Sequence, residues 1–244
     1  MVVPVTLPNG KRARFAFDTG AGLDVVSSKL AKELSLNVSS KFTGHRMSGE
    51  EITLDLATIS ALQFAGLTKS DWTVGITDIF DKLPPELAVD GAISLRYLAD
   101  LPFTIDFPQQ KIRTDHLLDD GEKIDVDIVQ QGGLSLGILA PVSINSTYSG
   151  NFEVDTGTTL TIAPPAAMTE LSIDQSSEDV KHVEGTNETG VPYERFYTNI
   201  STVAAADNEK LALMDRQICF EKIVYDGVIG TDYLGSFVVS FDLP

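Results

Sequence analysis

Two aspartates in matching sequence surroundings are the residues of this chain best suited to chemistry. Asp18 lies in the stretch Phe15–Gly20 (FAFDTG), and Asp155 lies in Phe152–Gly157 (FEVDTG). In both stretches, mostly apolar residues lead into an aspartate, a small hydroxyl residue and a glycine, a pattern typical of a strand that runs into a tight turn. We therefore expect each stretch to present a carboxylate at the tip of a turn.

A pair of carboxylates at one site can hydrolyse a peptide bond without a metal or a covalent intermediate. Two like charges a few ångströms apart cannot both stay ionised, so one carboxyl keeps its proton and the other loses it. The ionised carboxylate can take a proton from the attacking water, and the protonated one can deliver a proton to the substrate. The predicted catalytic pair is Asp18 and Asp155.

These aspartates belong to a duplicated frame. They are 137 positions apart, and the same offset matches Pro4-Val5 with Pro141-Val142. Further along the chain, Asp90–Ile93 recurs as Asp226–Ile229 at an offset of 136. A repeat of this length with a single change of register indicates a duplicated structural unit.

The composition limits which partners and sites are expected. The 244 residues are 43% hydrophobic and carry a net charge of −17, which would repel nucleic acid and anionic lipid. The single cysteine, Cys219, excludes an intrachain disulfide framework. With only three scattered histidines, a zinc site of the usual spacings is not expected either. We therefore predict no metal, no cofactor, no nucleic acid and no membrane partner.

The local sequence patterns predict short strands and short helices in both units. Asn9-Gly10 is a strong signal for a hairpin turn, and Ser27–Leu34 is predicted to be a short helix capped by its serine. A strand is predicted around Leu62–Leu67, and a second short helix around Pro165–Leu171. Because strands dominate and turn signals are closely spaced, the predicted class is all-β.

The two units are predicted to meet in an acidic segment that contains Asp119–Glu122 (DDGE). A charge run of this kind usually forms a solvated linker. The predicted domains are residues 1–120 and residues 121–244.

The paired motifs resemble those of a known family. Two hydrophobic-x-hydrophobic-Asp-Thr-Gly motifs, each followed about 72 residues later by Asp-Gly-x-Ile, are similar to the aspartic peptidases. The short repeat resembles the retropepsin-like proteases, here joined as a tandem in one chain. The resemblance implies a bilobal acid-protease fold, with two pseudo-twofold-related, β-barrel-like lobes, and an aspartic endopeptidase that binds a peptide between them.

The resemblance also assigns roles to the residues around each aspartate. In the family, the threonine of each motif hydrogen-bonds across the pseudo-twofold axis, and the glycine lets the backbone pass close to the carboxylates. A hydroxyl at position 158 is expected to donate to Asp155, so that the shared proton resides on Asp18. By position, the active-site loop residues are Thr19, Gly20, Ala21, Thr156, Gly157 and Thr158.

Two polar, glycine-containing stretches are candidates for flaps that cover a substrate. The first lies within residues 41–55, and the second is Glu184–Gly190. Both could instead be ordinary exposed hairpins, since neither carries a tyrosine at its tip. The residues assigned to substrate-binding flaps are Gly44, Met47, Gly49, Gly185 and Gly190.

Several observations keep other functions open. Gly133–Gly137 (GLSLG) fits the Gly-x-Ser-x-Gly pattern of serine hydrolases, but the residues after it predict a strand where a helix is required. Ser94 stands where the second unit has Gly230, and it would distort the catalytic loop if close packing needs glycine there. The alternatives are a catalytically impaired homologue that acts as a peptide-binding module, and a protein whose lobes serve only in assembly.

The expected partner is a polypeptide substrate, and pepstatin-type inhibitors are candidate ligands. Because both aspartates lie in one chain, the protein is expected to act as a monomer. Four Asn-x-Ser/Thr sequences favour a secreted or periplasmic location without deciding it.

Overall fold

The computed structural model describes residues 1–114, 117–187 and 190–243. Strands make up most of the regular structure, and the helices are short. The predicted all-β class is therefore confirmed, and the strands form two large sheets, one from each repeat, together with a small third sheet.

The first sheet is built only from the first repeat. It has seven strands in the order β1-β2-β7-β3-β6-β5-β4, and β1 also pairs with β5, which curls the sheet on itself. The short helix α1 follows β3, and the side chain of Ser27 accepts a hydrogen bond from Leu30 N–H, as the predicted cap requires. The elements are β1 Val2–Thr6, β2 Arg12–Phe17, β3 Val25–Ser27, α1 Ser28–Glu33, β4 Val38–His45, β5 Glu51–Phe64, β6 Leu67–Thr77 and β7 Gly91–Ile93.

Three short 3₁₀ helices and two further strands complete this half of the chain. The 3₁₀ helices are Phe80–Lys82, Pro85–Leu87 and Leu95–Tyr97; the strands are β8 Phe103–Asp106 and β9 Lys111–Arg113.

The second sheet repeats this plan with one extra strand. Its order is β10-β11-β12-β17-β13-β16-β15-β14, with β11 also pairing with β15. The extra strand β10 forms an antiparallel hairpin with β11. The elements are β10 Asp127–Gln131, β11 Ser135–Ile144, β12 Tyr148–Val154, β13 Ile162–Ala163, α2 Pro165–Glu170, β14 Lys181–Thr186, β15 Pro192–Ala205, a 3₁₀ helix Glu209–Leu211, β16 Ala212–Glu221, β17 Gly227–Ile229, α3 Thr231–Leu234 and β18 Val238–Phe241.

A third sheet joins the two halves, in the order β18-β8-β9. Thr104 and Ser240 are 136 positions apart, equivalent in the two repeats, and directly opposite each other, with their hydroxyl oxygens 2.7 Å apart. The rings of Phe103 and Phe241 stack at 4.8 Å, which continues the apolar core between the units. The pseudo-twofold axis therefore passes through this strand pair.

The two large sheets agree with the predicted halves, since one uses residues before 120 and the other uses residues after 121. The domain boundary itself stays a prediction. The predicted strand around Leu62–Leu67 is correct for Leu62–Phe64 at the end of β5 and for Leu67 at the start of β6. It is interrupted because Ala65 and Gly66, both with positive φ, form a tight turn between the two strands. The predicted hairpin at Asn9-Gly10 is confirmed, with Gly10 N–H donating to the carbonyl of Leu7.

Within the described ranges, the structure contains no helix that is both long enough and apolar enough to cross a lipid bilayer.

Candidate active site

The two aspartates lie side by side, each at the end of a central strand. Asp18 follows β2 and Asp155 follows β12, and both strands pair in parallel with the short strand of the Asp-Gly-x-Ile segment. The N–H of Asp18 donates to the carbonyl of Ile93 (2.9 Å), and the N–H of Asp155 donates to that of Ile229 (3.0 Å). The two turns are therefore anchored in the same way.

The threonines of the two motifs join the turns to each other. Thr19 N–H donates to Oγ1 of Thr156 (3.1 Å), and Thr156 N–H donates to Oγ1 of Thr19 (3.0 Å). Each buried hydroxyl in turn donates to a carbonyl of the opposite unit, Val154 at 2.5 Å and Phe17 at 2.9 Å. The structure thus contains the reciprocal hydrogen bonds that the resemblance implies, and they fix the separation of the two turns.

The glycines of the motifs make room for the carboxylates. Gly20 N–H donates to Oδ1 of Asp18 (3.0 Å), and Gly157 N–H donates to Oδ1 of Asp155 (2.7 Å). A Cβ atom on either glycine would overlap the carboxyl group of the aspartate in the other unit. No larger residue fits at these positions while both carboxyls keep their places.

The proximity of the two carboxyls changes the titration of Asp18. Burial and the neighbouring Asp155 carboxylate raise the pKa of Asp18 to about 8, and a hydrogen bond between the two side chains contributes in the same direction. The hydrogen bonds from Gly20 and Ala21 N–H oppose this rise. Asp18 therefore holds a proton over the range in which an isolated aspartate would be ionised.

The residues that follow the two motifs differ from expectation in one respect. Ala21 lines a cavity beside the aspartates, as its place in the loop suggests. The hydroxyl of Thr158, however, accepts a hydrogen bond from Leu160 N–H (3.2 Å). Among the described contacts it makes none with Asp155, so the predicted hydrogen bond to that carboxylate is absent.

The first candidate flap is the hairpin of β4 and β5, and its tip contacts the second unit. Gly49 has φ +84° in the turn, and Val224 N–H donates to the carbonyl of Met47 (2.8 Å). The side chain of Met47 packs against an apolar cluster of the second unit that includes Ile162 and Cys219. Gly44, on β4, lines the cavity beside the aspartates. The hairpin therefore bridges the two units over the aspartates' side of the molecule.

The second candidate flap is the hairpin of β14 and β15. Gly185 lies opposite Tyr193, whose ring occupies the space a side chain at Gly185 would need. Gly190 has φ +82° in the turn. Glu188 and Thr189, also within the predicted flap, lie outside the described residues. Neither glycine of this hairpin is among the residues that line the cavity described next.

A cavity of about 120 Å³ opens beside the aspartates between the first hairpin and the second unit. The loop after Asp18, the first hairpin, the β10–β11 hairpin and two polar residues, Glu153 and Tyr225, form its walls. Phe42 of the first hairpin reaches Gly132 at the turn between β10 and β11, so both hairpins close this side. The predictions from sequence did not include Glu153. The only sequence signal for it is the middle position of the FEVDTG strand, where the first unit has alanine.

A second residue missed in the sequence is the buried Asp24. Its carboxylate accepts hydrogen bonds from Ser94 N–H (2.8 Å) and Trp72 Nε1–H (2.8 Å), and it pairs with the guanidinium of Arg96 (3.2 Å). The equivalent pair of the second unit is Thr161 with Asp232, joined at 2.7 and 2.9 Å. Between the repeats, the acid has moved from one position of the pair to the other, so that Asp232 stands at the position equivalent to Arg96.

Asp24 also explains why Ser94 is accommodated. In the second unit, a Cβ atom at Gly230 would overlap the backbone of Leu160, which is why glycine is needed there. In the first unit, both the N–H and the hydroxyl of Ser94 contact Oδ1 of Asp24. Because the two Asp-Thr-Gly turns keep matching backbone hydrogen bonds, the distortion considered for Ser94 is absent.

The Gly-x-Ser-x-Gly sequence does not form the turn that a serine hydrolase needs. Ser135 begins strand β11 directly after the β10–β11 turn, and Leu136 N–H donates to the carbonyl of Gly22. The expected strand is therefore present, and no helix follows the serine.

One surface cluster has the donor atoms for a cation. His182, Glu184 and Glu194, on the second hairpin, place their ligand atoms within 4.8 Å of one another, and all three are exposed. His182 Nε2 and Glu194 Oε1 already form a 2.9 Å contact. No step of the function proposed below uses this cluster.

Comparison with known proteins agrees with this geometry. The model of a family described as aspartyl protease matches residues 3–95, which contain Asp18 and the first Asp-Gly-x-Ile segment. The first repeat is therefore similar to the aspartyl proteases of that family. Among solved structures, a retropepsin-like aspartic protease from Rickettsia conorii matches this chain with a TM-score of 0.37 at 13% identity, over 48% of this chain and 90% of that chain. A search of curated proteins found no match.

Proposed function

We propose that this chain is an aspartic endopeptidase in which Asp18 and Asp155 activate one water between them. The observation that carries the proposal is the hydrogen-bonded contact of these two carboxyls, one from each repeat, within the reciprocal threonine network. The match of residues 3–95 to an aspartyl protease family supports hydrolysis of polypeptides in general. The paired geometry supports this particular mechanism.

The proposed reaction returns both carboxyls to their starting states. The ionised Asp155 takes a proton from the attacking water, while the protonated Asp18 gives its proton to the carbonyl oxygen of the substrate. The resulting tetrahedral diol collapses when Asp155 passes its proton to the leaving nitrogen and Asp18 regains one from a hydroxyl. The C–N bond breaks in that step, and the products are an acid and an amine.

The first hairpin is the proposed cover of the substrate. Its tip already contacts the second unit through Met47 and Val224, so a peptide in the cleft would lie beneath it. Such a cover would exclude bulk water and strengthen the electrostatic interactions at the aspartates. The second hairpin, with Gly185 and Gly190, is the weaker candidate because it lies outside the cavity wall.

The experiment is incubation with an unfolded protein between pH 3 and pH 8, with and without pepstatin, for the unmodified chain and for Asp18→Asn and Asp155→Asn. Each substitution should reduce kcat/KM by about a thousandfold or more, because general acid and base assistance is typically worth 10² to 10⁴ per group. Asp125→Asn, at an exposed position, is the matched control and should cleave normally.

Residual cleavage above about a thousandth in either variant would contradict the shared pair. Peptide binding by the unmodified chain without any cleavage would instead support the alternative of a peptide-binding module.

A further inference from the structure

One buried acid beside the catalytic pair has no counterpart in the other unit. Glu153 lies on β12, two residues before Asp155, and only 7% of its surface is exposed. The equivalent position of the first unit is Ala16. An acid is rarely buried to this extent without a partner, because removing its charge from water is costly. Its presence on one side only makes the cleft asymmetric.

The carboxyl of Glu153 faces the cavity. Its Oε1 lies 3.9 Å from the position that a Cβ atom of Gly137 would occupy, and Gly137 is part of the cavity wall. The hydroxyl of Tyr225 donates a hydrogen bond to the carboxyl. Burial raises the pKa of Tyr225, as does the neighbouring Glu153, so the phenol stays a donor. The carboxylate of Glu153 can accept several hydrogen bonds, so it can still accept others besides the one from the Tyr225 hydroxyl.

The rest of the wall is mostly apolar. The aliphatic and aromatic members come from the loop after Asp18, the first hairpin and the β10–β11 hairpin; they are Leu23, Phe42, Ile52, Leu54, Val129, Ile138 and Leu139. A mostly apolar cavity whose wall carries one buried acid fits a side chain that has an apolar stem and a cationic head. Lysine and arginine have this form.

We propose that this cavity binds the lysine or arginine side chain of a substrate residue that flanks the scissile bond, with Glu153 pairing with its charge. The inference rests on the proposed function, since it names the substrate class of the same cleft. The net charge of −17 would favour the approach of a basic peptide. An apolar side chain would fill the cavity but would leave Glu153 further desolvated without a new partner.

Binding of a cation is linked to a proton. Burial and the Asp155 carboxylate raise the pKa of Glu153 to about 8, and Asp18 adds to the rise. The other titratable groups that line the cavity are Tyr225 and the exposed His45, and the uncharged polar side chains are those of Gln131 and Ser135. A cationic side chain favours the ionised form of Glu153, so its binding should release a proton below pH 8.

The experiment compares peptides that differ at one residue, with lysine or with norleucine, which has a similar apolar stem without the charge. The residue is placed in turn at the two positions that flank a cleavage site. For the unmodified chain, kcat/KM at pH 7 should favour lysine by about tenfold or more at one of these positions, as expected for a charge-assisted hydrogen bond. A ratio near one at both positions, or a preference for norleucine, would overturn the proposal without any variant.

Variants test whether Glu153 is responsible. Glu153→Gln should lower the lysine-to-norleucine ratio at least about tenfold, and Glu153→Asp should retain part of it. Glu178→Gln, which removes one exposed negative charge, is the matched control and should leave the ratio unchanged. An unchanged ratio in folded Glu153→Gln would assign the selectivity to another group and overturn the proposal.

Binding separates this proposal from the proposed function. Calorimetry with uncleavable reduced-amide versions of the two peptides gives the lysine-to-norleucine preference as the ratio of two dissociation constants. Binding heats measured in buffers of different ionisation enthalpy report the released proton. If no peptide is cleaved but the lysine form binds about tenfold tighter, the endopeptidase proposal fails and the pocket assignment stands. If cleavage occurs and the two forms bind equally, the pocket assignment fails alone.

Discussion

A Cβ atom at Gly20 would lie 2.5 Å from Cγ of Asp155, so the glycine of one motif makes room for the aspartate of the other. In the same way, Gly157 of the second motif makes room for Asp18 of the first. The Asp-Thr-Gly motif is therefore not a self-contained turn. Each copy is completed by the other, which explains why glycine follows threonine in both.

Replacing Gly20 with alanine should impair the proposed reaction strongly. The methyl group must push the Asp155 carboxyl away from Asp18, and a displacement of about 1 Å at reacting groups can cost on the order of a hundredfold in rate. We expect kcat/KM to fall by about that factor or more. The control is Gly121→Ala, where the nearest neighbour of the new methyl would be Leu118 at an unstrained 3.8 Å. Equal activity in both variants would show that the carboxyls tolerate separation.

Because the pKa values of Asp18 and Glu153 are raised in the folded chain, the protein should become less stable as the pH rises. Burial raises the pKa of both Asp18 and Glu153 to about 8, whereas unfolded Asp and Glu titrate near 4. Between these values the folded chain holds more protons than the unfolded chain, so the free energy of unfolding falls as pH increases from about 4 to about 8.

Thermal unfolding at several pH values measures this effect. The Tm of the unmodified chain should fall by several degrees between pH 5 and pH 8, since about 1 kcal/mol corresponds to 2–4 °C at this size. The variant with Asp18→Asn and Glu153→Gln should show a flatter profile. The net charge also lowers stability at high pH, but it acts on both proteins. Parallel profiles would mean that neither acid holds its proton in the folded state.

Asp24 should be needed for stability of the first unit. Asp24→Ala would leave the charge of Arg96 and the donors of Trp72 and Ser94 without their acceptor. The expected loss in the free energy of unfolding is about 3 kcal/mol or more, compared with little change for the exposed Asp125→Ala. Denaturant unfolding gives both values.

Copying the equivalent pair of the second unit into the first should restore part of the stability lost in Asp24→Ala. Thr161 and Asp232 occupy the positions equivalent to Asp24 and Arg96. The double variant Asp24→Thr with Arg96→Asp should therefore be more stable than Asp24→Ala. A double variant that is less stable than Asp24→Ala would show that the two units do not tolerate exchange of this pair.

A single chain should suffice for activity, because the contact between Asp18 and Asp155 is intramolecular. Specific activity should stay constant on dilution, and sedimentation should give a monomer at the concentrations used for kinetics. Activity that falls on dilution, together with an obligate dimer, would contradict this prediction.

The sequence predicted the parts of the fold and site that repeat. The offset between the motifs located both aspartates, both threonines and both glycines, because these residues obey the twofold relationship. Glu153 and Asp24 were not found, since each breaks that relationship. Their partners, Tyr225 and Arg96, are about 70 positions away, and neither local periodicity nor turn chemistry reports contacts over that distance.

The predicted role of Thr158 failed for a related reason. A hydroxyl can accept from its own turn and donate to a neighbouring carboxylate at the same time, and the residue type does not say which contacts its rotamer allows. In this structure the Thr158 hydroxyl accepts from Leu160 N–H, two residues away, where a short side chain reaches the backbone easily.

The pairing of β8 with β18 has a consequence for how the chain reaches its final structure. Strand β8 is synthesised early, but its partner β18 lies 136 positions later. One edge of β8 therefore stays unpaired, and the ring of Phe103 stays uncovered, until β18 has been made. Contacts of such separation form slowly, and an unpaired apolar edge invites association between chains in the meantime. Synthesis of the first half alone should therefore yield aggregates more readily than synthesis of the whole chain. In this tandem, the second copy protects the first during folding as well as supplying its second acid.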